Sequence, residues 1–423
     1  MRAVIRKGGK KDSLIRIPAS KSLLNRMILA AAAAEGTSVI RSVTYSNDIL
    51  EMISVMEDLG AVIEKGQDSL QIRGFGGRPR LRTGDIWFSD SASALRFAVP
   101  LLSLTGEKVN LHTGKRLHQR GISVYEELFQ ERGLCLEGTA DGWTLFGKLP
   151  AGDYEADGSL SSQYISGLLC ALPLLEKDSR ILVRNRFVSE PYARLTCSVL
   201  HRAGIDVRRE GNIYTVKGRQ AYHPFEADVP GDDSQAAFFA GLALLSGNRI
   251  HVPDMAHDSE QADHVILDLI RRFGGTVRQE ADGYVFSGGP VRPAAADLTD
   301  CPDLGPVLFA CAAAADGESV FTGASRLRRK ESDRIGAMCE ELRKFGCGTH
   351  EEDEVLRIRG KGRLESPCIL DGHNDHRVVM ALSVLAACSD QPVVITGAEA
   401  VNKSYPAFFD DLAKTGASVT RID

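Results

Sequence analysis

Three cations stand where helix electrostatics disfavours them. Lys21 and Arg26 fall in the first turns of an Ala/Leu-rich run introduced by Pro18-Ala-Ser20, and Arg377 follows Asp371-Gly-His-Asn-Asp-His376 at the head of another. A helix N-terminus offers free N–H groups and partial positive charge, so a cation there is opposed unless a multiply charged anion lies between. Ser22 adds a hydroxyl beside Lys21. Ser161, Ser162 and Gln163 place two hydroxyls and an amide at a third helix start, where one hydroxyl suffices for capping. That surplus suits a phosphate or carboxylate. The densest cluster is Lys330-Glu-Ser-Asp-Arg334. Beside an anion site, Glu331 becomes a candidate proton carrier tuned by neighbouring cations, and Asp303 reads equally as a cap or as such a group. Arg120, Lys330, Glu331, Arg334 and Lys403 are expected to stand outside the helices. An isolated Ser20 or Asp232 needs no more than a capping role. No His/Cys/carboxylate spacing points to a metal, and no P-loop or G-x-G-x-x-G after a strand points to a nucleotide. Gly74-Phe-Gly-Gly77 is a turn with no phosphate-loop Lys behind it.

These residues are distributed over a repeat of about 70 residues. Each unit carries an Ala/Leu-rich helix, a β-branched run and a second, amphipathic helix ending in Gly. The first helices read as Ser20–Ala34, Ser91–Leu104, Ser161–Leu175, Asp232–Leu245, Asp303–Ala315 and Asn374–Ala387. The second end at Gly60, Gly133, Gly204, Gly274, Gly346 and Gly416. The first helices are apolar nearly all round, which predicts burial inside each domain with sheet outside, in βαβαββ modules. Three modules per domain gives an α/β architecture of two inside-out domains. One spans 19–227; the other combines 228–423 with residues 1–18, whose strand Val4–Ile17 would complete its sheet. Linkers near Pro18 and Phe225 then suit a hinge that closes a cleft holding the active site.

The 423-residue chain is 43% hydrophobic and 25% charged, ordinary values for a globular protein. Its formal net charge of -5 argues against nucleic acid as a partner. Nine scattered cysteines without a C-x-x-C pair fit reduced thiols rather than disulfides or zinc. The N-terminus has no signal-peptide core, and no apolar stretch reaches spanning length. A soluble cytoplasmic protein without membrane partners is expected.

Five motifs in order resemble the EPSP synthase family, enolpyruvyl transferases, over essentially the full length. They are Pro-Ala-Ser-Lys-Ser-Leu-Leu-Asn-Arg (18–26), Asp-Gly-Ser-Leu-Ser-Ser-Gln (157–163), Arg-Arg-Lys-Glu-Ser-Asp-Arg-Ile (328–335), Asp-Gly-His-Asn-Asp-His-Arg (371–377) and Lys-Ser-Tyr-Pro (403–406). The resemblance implies the two-domain fold reached above. It also implies transfer of the enolpyruvyl group of phosphoenolpyruvate to the 5-hydroxyl of shikimate 3-phosphate, by addition and elimination through a tetrahedral intermediate. This is a step towards chorismate and the aromatic amino acids, with no metal or organic cofactor. It is expected of a monomer acting on small molecules alone.

Carried over by position, the resemblance implies that Lys21, Ser22, Arg26, Ser161, Ser162, Gln163, Ser189, Asp303, Arg326 and Lys330 hold shikimate 3-phosphate. Lys21, Ala92, Arg120, Gln163, Arg334, Arg377 and Lys403 would meet phosphoenolpyruvate. Asp303, Glu331, Lys21 and Lys403 are the catalytic candidates, with acid and base unassigned. One stretch departs from the family. Its phosphoenolpyruvate loop usually reads Asn-Ala-Gly-Thr or Glu-Ser-Gly-Ser before Leu/Met-Arg; here it is Asp90-Ser-Ala-Ser-Ala-Leu-Arg96. Ala92 adds a methyl group where backbone should approach a ligand. The expectation is that phosphoenolpyruvate is tolerated and the longer inhibitor glyphosate is rejected. Gly121 replaces a frequent Pro, and Arg326 an occasional Asn. The rival enolpyruvyl transferase acting on UDP-N-acetylglucosamine usually carries a loop Cys that 111–122 lacks. A non-catalytic metabolite-binding paralogue would have no use for the acid/base candidates. An RNA-end-processing enzyme on related modules would have fewer units and a nucleotide-linking His.

Overall fold

The computed structural model describes residues 1–352, 354–365 and 368–422. The chain divides into two compact units, Ala19–Val229 and Met1–Pro18 together with the chain from Pro230 onward. It therefore passes between them twice.

In the first unit the inner helices are α1 (Lys21–Ala33), α3 (Ala92–Leu102) and α6 (Ser162–Ala171). The outer ones are α2 (Asn47–Asp58), α5 (Ser123–Glu131) and α7 (Glu190–Arg202), with a short α4 (Lys115–Arg120) before α5. The second unit repeats the plan. Its inner helices are α8 (Asp233–Ser246), α10 (Gly305–Ala314) and α12 (His376–Ala386), and its outer ones α9 (Ile266–Arg272), α11 (Arg334–Lys344) and α13 (Phe408–Lys414). The inner helices are buried almost throughout: Leu23 to Ala33 of α1 and Gly305 to Ala313 of α10 are all in the interior. Small residues allow that packing. A Cβ on Gly167 of α6 would lie 2.4 Å from the Arg96 carbonyl oxygen and 2.3 Å from the Tyr125 hydroxyl, so only Gly lets α6 lie this close to α3. The glycines expected to end the outer helices all have positive φ, from 74° at Gly133 to 104° at Gly60.

Six four-stranded sheets lie over these helices among the described residues. Each pairs two strands in parallel and adds two antiparallel ones, as in 153–157, 179–184, 213–216 and 207–210. Three of them borrow strands from far along the chain. Glu226–Asp228 runs parallel to Val39–Arg41, which keeps 226–229 in the first unit and moves the boundary past the expected 227/228. Phe225, expected near a linker, is tied to Ser38 and Val39 in that same edge. The N-terminal segment is two strands rather than one. Arg2–Arg6 lies between Val393–Thr396 and Ser418–Ile422, and Ser13–Leu14 joins a different sheet beside Arg249–Pro253. The break falls at Gly8, whose backbone sits against Gly416, where a Cβ would come 1.6 Å from its carbonyl oxygen. Each unit has its own continuous apolar core. All nine cysteines are free thiols. No helix among the described residues is long and apolar enough to cross a membrane.

Candidate functional site

In the first unit the polar residues gather at the N-terminal ends of α1, α3 and α6 and just before α7. Lys21 opens α1, and its Nζ lies 2.7 Å from Asp48 Oδ2, on the first turn of α2. Arg26, one turn on, is where four helices meet. Its Nε donates to Thr196 Oγ1 of α7 at 2.7 Å, and its terminal nitrogens to the Ser22 and Tyr192 carbonyls at 2.6 and 3.0 Å and to Ser166 Oγ of α6 at 3.5 Å. Its guanidinium also lies over the Phe97 ring of α3, 5.0 Å from the centroid. Burial pulls its pKa down to about 10. Ser161 caps α6, accepting from Gln163 N at 3.3 Å, while Ser162 begins the helix. Gln163 Oε1 accepts from Arg96 at 2.8 Å, and Arg96 stacks over Tyr164 at 4.8 Å. Arg120 ends α4, close enough to Arg96 to act on its charge, and Arg96 donates to the next carbonyl, Gly121, at 3.2 Å. Ser189, buried and at φ 53°, precedes α7, and Ala92 is the buried first residue of α3.

In the second unit a charged network joins the ends of α8, α10, α11 and α12. Asp303 lies in a short 3-10 turn before α10. Its Oδ1 accepts from Lys330 Nζ at 3.4 Å and from Arg334 at 3.0 Å; its Oδ2 accepts from Arg377 at 3.0 Å. Arg334, only 1% exposed, also donates to Asp375 at 2.8 and 3.2 Å and to Glu331 at 2.8 Å. Burial alone would lower its pKa; Asp375, Glu331 and Asp303 reverse that and hold the guanidinium above its ordinary value. Arg377 reaches Ser234 Oγ on α8 at 2.9 Å, and although burial is the largest single effect on it, Asp303 together with Asp232 and Asp263 raises its pKa. For Lys330 burial wins, and its pKa falls to about 8 despite Asp303. Lys403 is buried at the end of the 3-10 segment Ala398–Lys403, and the next residue, Ser404, accepts from Gln235 of α8 at 3.1 Å. Arg326 is half-buried in the 3-10 segment that leads to Lys330.

The helix starts show where capping yields to this chemistry. Ser91, Ser161 and Asp232 accept from their helix amides as caps. Ser20 makes no side-chain cap bond, and the Asp303 carboxylate faces cations instead. At α12 the cap is Asp375 rather than Asn374. Sequence reasoning passed over Asp48, Asp375, Ser234 and Arg96, which hold the predicted cations or amides. Arg96 carried the same signal as Lys21, a cation in the first turns of a helix. Glu340, Glu341 and His373 form the one group of His, Cys or carboxylate side chains among the described residues whose ligand atoms could share a metal ion, which spacing did not reveal. Glu341 there already accepts from Lys344 at 2.8 Å, Asp371 N at 3.1 Å and His373 at 3.3 Å.

The sequence profile of the EPSP synthase (3-phosphoshikimate 1-carboxyvinyltransferase) family matches residues 5–412. A 3-phosphoshikimate 1-carboxyvinyltransferase of Clostridium kluyveri is 34% identical over 416 residues, covering 97% of this chain and 96% of that protein. One from Clostridium acetobutylicum is 35% identical over 415 residues, covering 96% and 95%. Among solved structures, EPSP synthase from Acinetobacter baumannii superposes with a TM-score of 0.82 over 100% of both chains at 23% identity. The enolpyruvyl transferase NikO from Streptomyces tendae gives 0.77 over 99% and 98% at 17% identity. These two structural likenesses bear on the fold.

Proposed function

The chain belongs to the EPSP synthase family, and from that premise we propose which of its residues carry each part of the reaction. The enzyme transfers the enolpyruvyl group of phosphoenolpyruvate to the 5-hydroxyl of shikimate 3-phosphate and releases phosphate. In the addition, the 5-hydroxyl oxygen bonds to C2 of phosphoenolpyruvate and loses its proton, while C3 gains one. In the elimination, C3 gives up a proton, phosphate leaves C2 and the double bond reforms. Asp303 is the proposed acceptor of the hydroxyl proton, Glu331 and Lys21 are the proposed carriers at C3, and Lys403 is the further catalytic candidate. Ser22, Arg26, Ser161, Ser162, Gln163, Ser189, Arg326 and Lys330 bind shikimate 3-phosphate. Arg120, Arg334, Arg377 and Lys403 clamp phosphoenolpyruvate, whose phosphate and carboxylate need several cations.

The observation that carries this assignment is the Asp303 carboxylate shared among Lys330, Arg334 and Arg377. It brings a base, three anion-binding cations and the Glu331 partner of Arg334 into one bonded network. The two residue sets belong to different units, so losses in either should stop the same reaction. Phosphate should be released when both substrates are supplied and not with either alone. Absence of release with both would refute the reading.

Two consequences follow from particular residues. Lys330 has a pKa near 8, so below that pH it meets the phosphate already charged. Above it, binding must take up a proton, and shikimate 3-phosphate affinity should fall by up to about tenfold per pH unit. Lys330→Arg, charged throughout, should flatten that slope in a binding titration between pH 7 and 9.5. A wild-type affinity that is level across this range would remove Lys330 from the contact. The Ala92 methyl at the start of α3 should exclude glyphosate more than phosphoenolpyruvate. Ala92→Gly should lower the glyphosate inhibition constant by about 10- to 200-fold, the range that one such group commands in a tight pocket. An unchanged inhibition curve would put the discrimination elsewhere.

A further inference from the structure

We propose that Glu51, on α2, is a positioning residue for the phosphoenolpyruvate side of the site: it fixes the 89–91 turn from which α3 starts. The proposal rests on the residue roles set out above. The strand 85–88 ends at Phe88 and α3 begins at Ala92, so the amides between them have neither a strand nor a helix partner of their own. Glu51 supplies the partner. Its Oε2 accepts from Ser89 N at 2.9 Å, from Ser89 Oγ and from Asp90 N at 3.4 Å, and its Oε1 accepts from Ser91 N at 3.2 Å. Three successive amides and a hydroxyl thus converge on one carboxylate, which holds the turn in a single orientation.

The far side of the turn is equally closed. A Cβ on Gly114 would come 1.9 Å from the Ser89 carbonyl oxygen, and Gly114 N donates to Phe88 O at 2.9 Å. Gly114 caps α4, the helix that ends in Arg120. Downstream, Ser93 Oγ accepts from Asn25 of α1 at 3.1 Å and lies 3.2 Å from Ser91 Oγ. The turn is therefore clamped between α2 and the start of α4, and Ala92 moves only if that clamp gives.

Glu51 is also one helical turn beyond Asp48, the partner of Lys21. The first turns of α2 thus present two carboxylates, one holding a lysine of the site and one holding the loop opposite it. An i, i+3 pair of like charges weakens an isolated helix, so local helix stability does not account for it. Burial, with Asp48 adding to it, raises the Glu51 carboxyl above its ordinary value, and the bonds from Ser89 only partly offset this. The role that remains is registration: α2 fixes the separation between the Lys21 ammonium and the head of α3, the gap that the smaller substrate must fit.

The test is steady-state kinetics on Glu51→Ala and Glu51→Gln, with thermal unfolding measured on both. Loss of the clamp should raise KM for phosphoenolpyruvate about tenfold or more in Glu51→Ala, since a misplacement of about 1 Å in a binding element is costly. KM for shikimate 3-phosphate should stay within about twofold, and kcat should fall by less than KM for phosphoenolpyruvate rises. Glu51→Gln keeps one acceptor oxygen and should lie between the two, which also decides the matter if the alanine variant does not fold. The ratio of the glyphosate inhibition constant to KM for phosphoenolpyruvate should change as well, because the start of α3 moves. The proposal is overturned if both KM values and that ratio stay at wild-type levels, or if both KM values rise in parallel with a drop in unfolding temperature. Wild-type protein that releases no phosphate from the two substrates would instead overturn the residue roles on which this rests.

Discussion

Asp303→Asn should lower kcat by about 10²- to 10⁴-fold, the range expected when a positioned proton acceptor is removed. Asparagine keeps the shape of the side chain but cannot take a proton. It also offers one acceptor oxygen where the carboxylate uses two, Oδ1 for Lys330 and Arg334 and Oδ2 for Arg377. Its amide N–H groups would face at least one of these donors, so the network around it loosens as well. Two readouts separate the effects. Loss of the base lowers the phosphate-release rate at saturating substrate, whereas loosening of Lys330 alone raises KM for shikimate 3-phosphate. Glu331→Gln serves as the companion. If proton transfer at C3 passes through Glu331, its kcat falls too, and if through Lys21 it falls little. Turnover near wild-type in both variants would remove both carboxylates from the proton path.

Much of this arrangement was legible in the chain because it follows short-range rules. The inner helices start within two residues of their expected caps, and Ser91, Ser161 and Asp232 accept helix amides there although Ser20 does not. The outer helices end at the expected glycines because a left-handed residue terminates them. The cations of the site announced themselves by breaking the macrodipole rule at Lys21, Arg26 and Arg377. The carboxylates that hold those cations gave no such signal. Asp48 and Glu51 sit on an ordinary amphipathic helix, and their roles exist only once α2 lies against α1 and the 89–91 turn. Asp375 was hidden in a motif rich in polar groups, where Asn374 is an equally good cap by type. The N-terminal strand was misjudged for a similar reason: its break at Gly8 answers to Gly416, at the other end of the chain. Local chemistry is written locally, and the partner of a charge is a matter of tertiary packing.

Arg334 carries the largest expected effect on stability. Its guanidinium is 1% exposed and its three nitrogens are bonded to Asp303, Glu331 and Asp375. Arg334→Met removes the buried cation and leaves those carboxylates with fewer donors. Asp375 keeps Ser332 Oγ and Arg377 N, and Asp303 keeps Lys330 and Arg377. Breaking a buried ion network from one side typically costs about 3–5 kcal/mol. For a unit of this size that is a fall of about 6–20 °C in the unfolding temperature of the second unit. Arg334→Lys should recover little of it, because a single ammonium cannot make the forked contact with Asp375 while reaching Glu331 and Asp303. Adding Asp375→Asn to Arg334→Met should restore part of the loss, since the new residue no longer leaves a buried negative charge without its cation. Strict additivity of the two substitutions in a double-mutant cycle would show that the bonds do not act as a network. The same residue is assigned to phosphoenolpyruvate, so its kinetics must be read well below the lowered unfolding temperature. There, a rise in KM for phosphoenolpyruvate that persists in folded Arg334→Met separates its hold on the substrate from its hold on the fold.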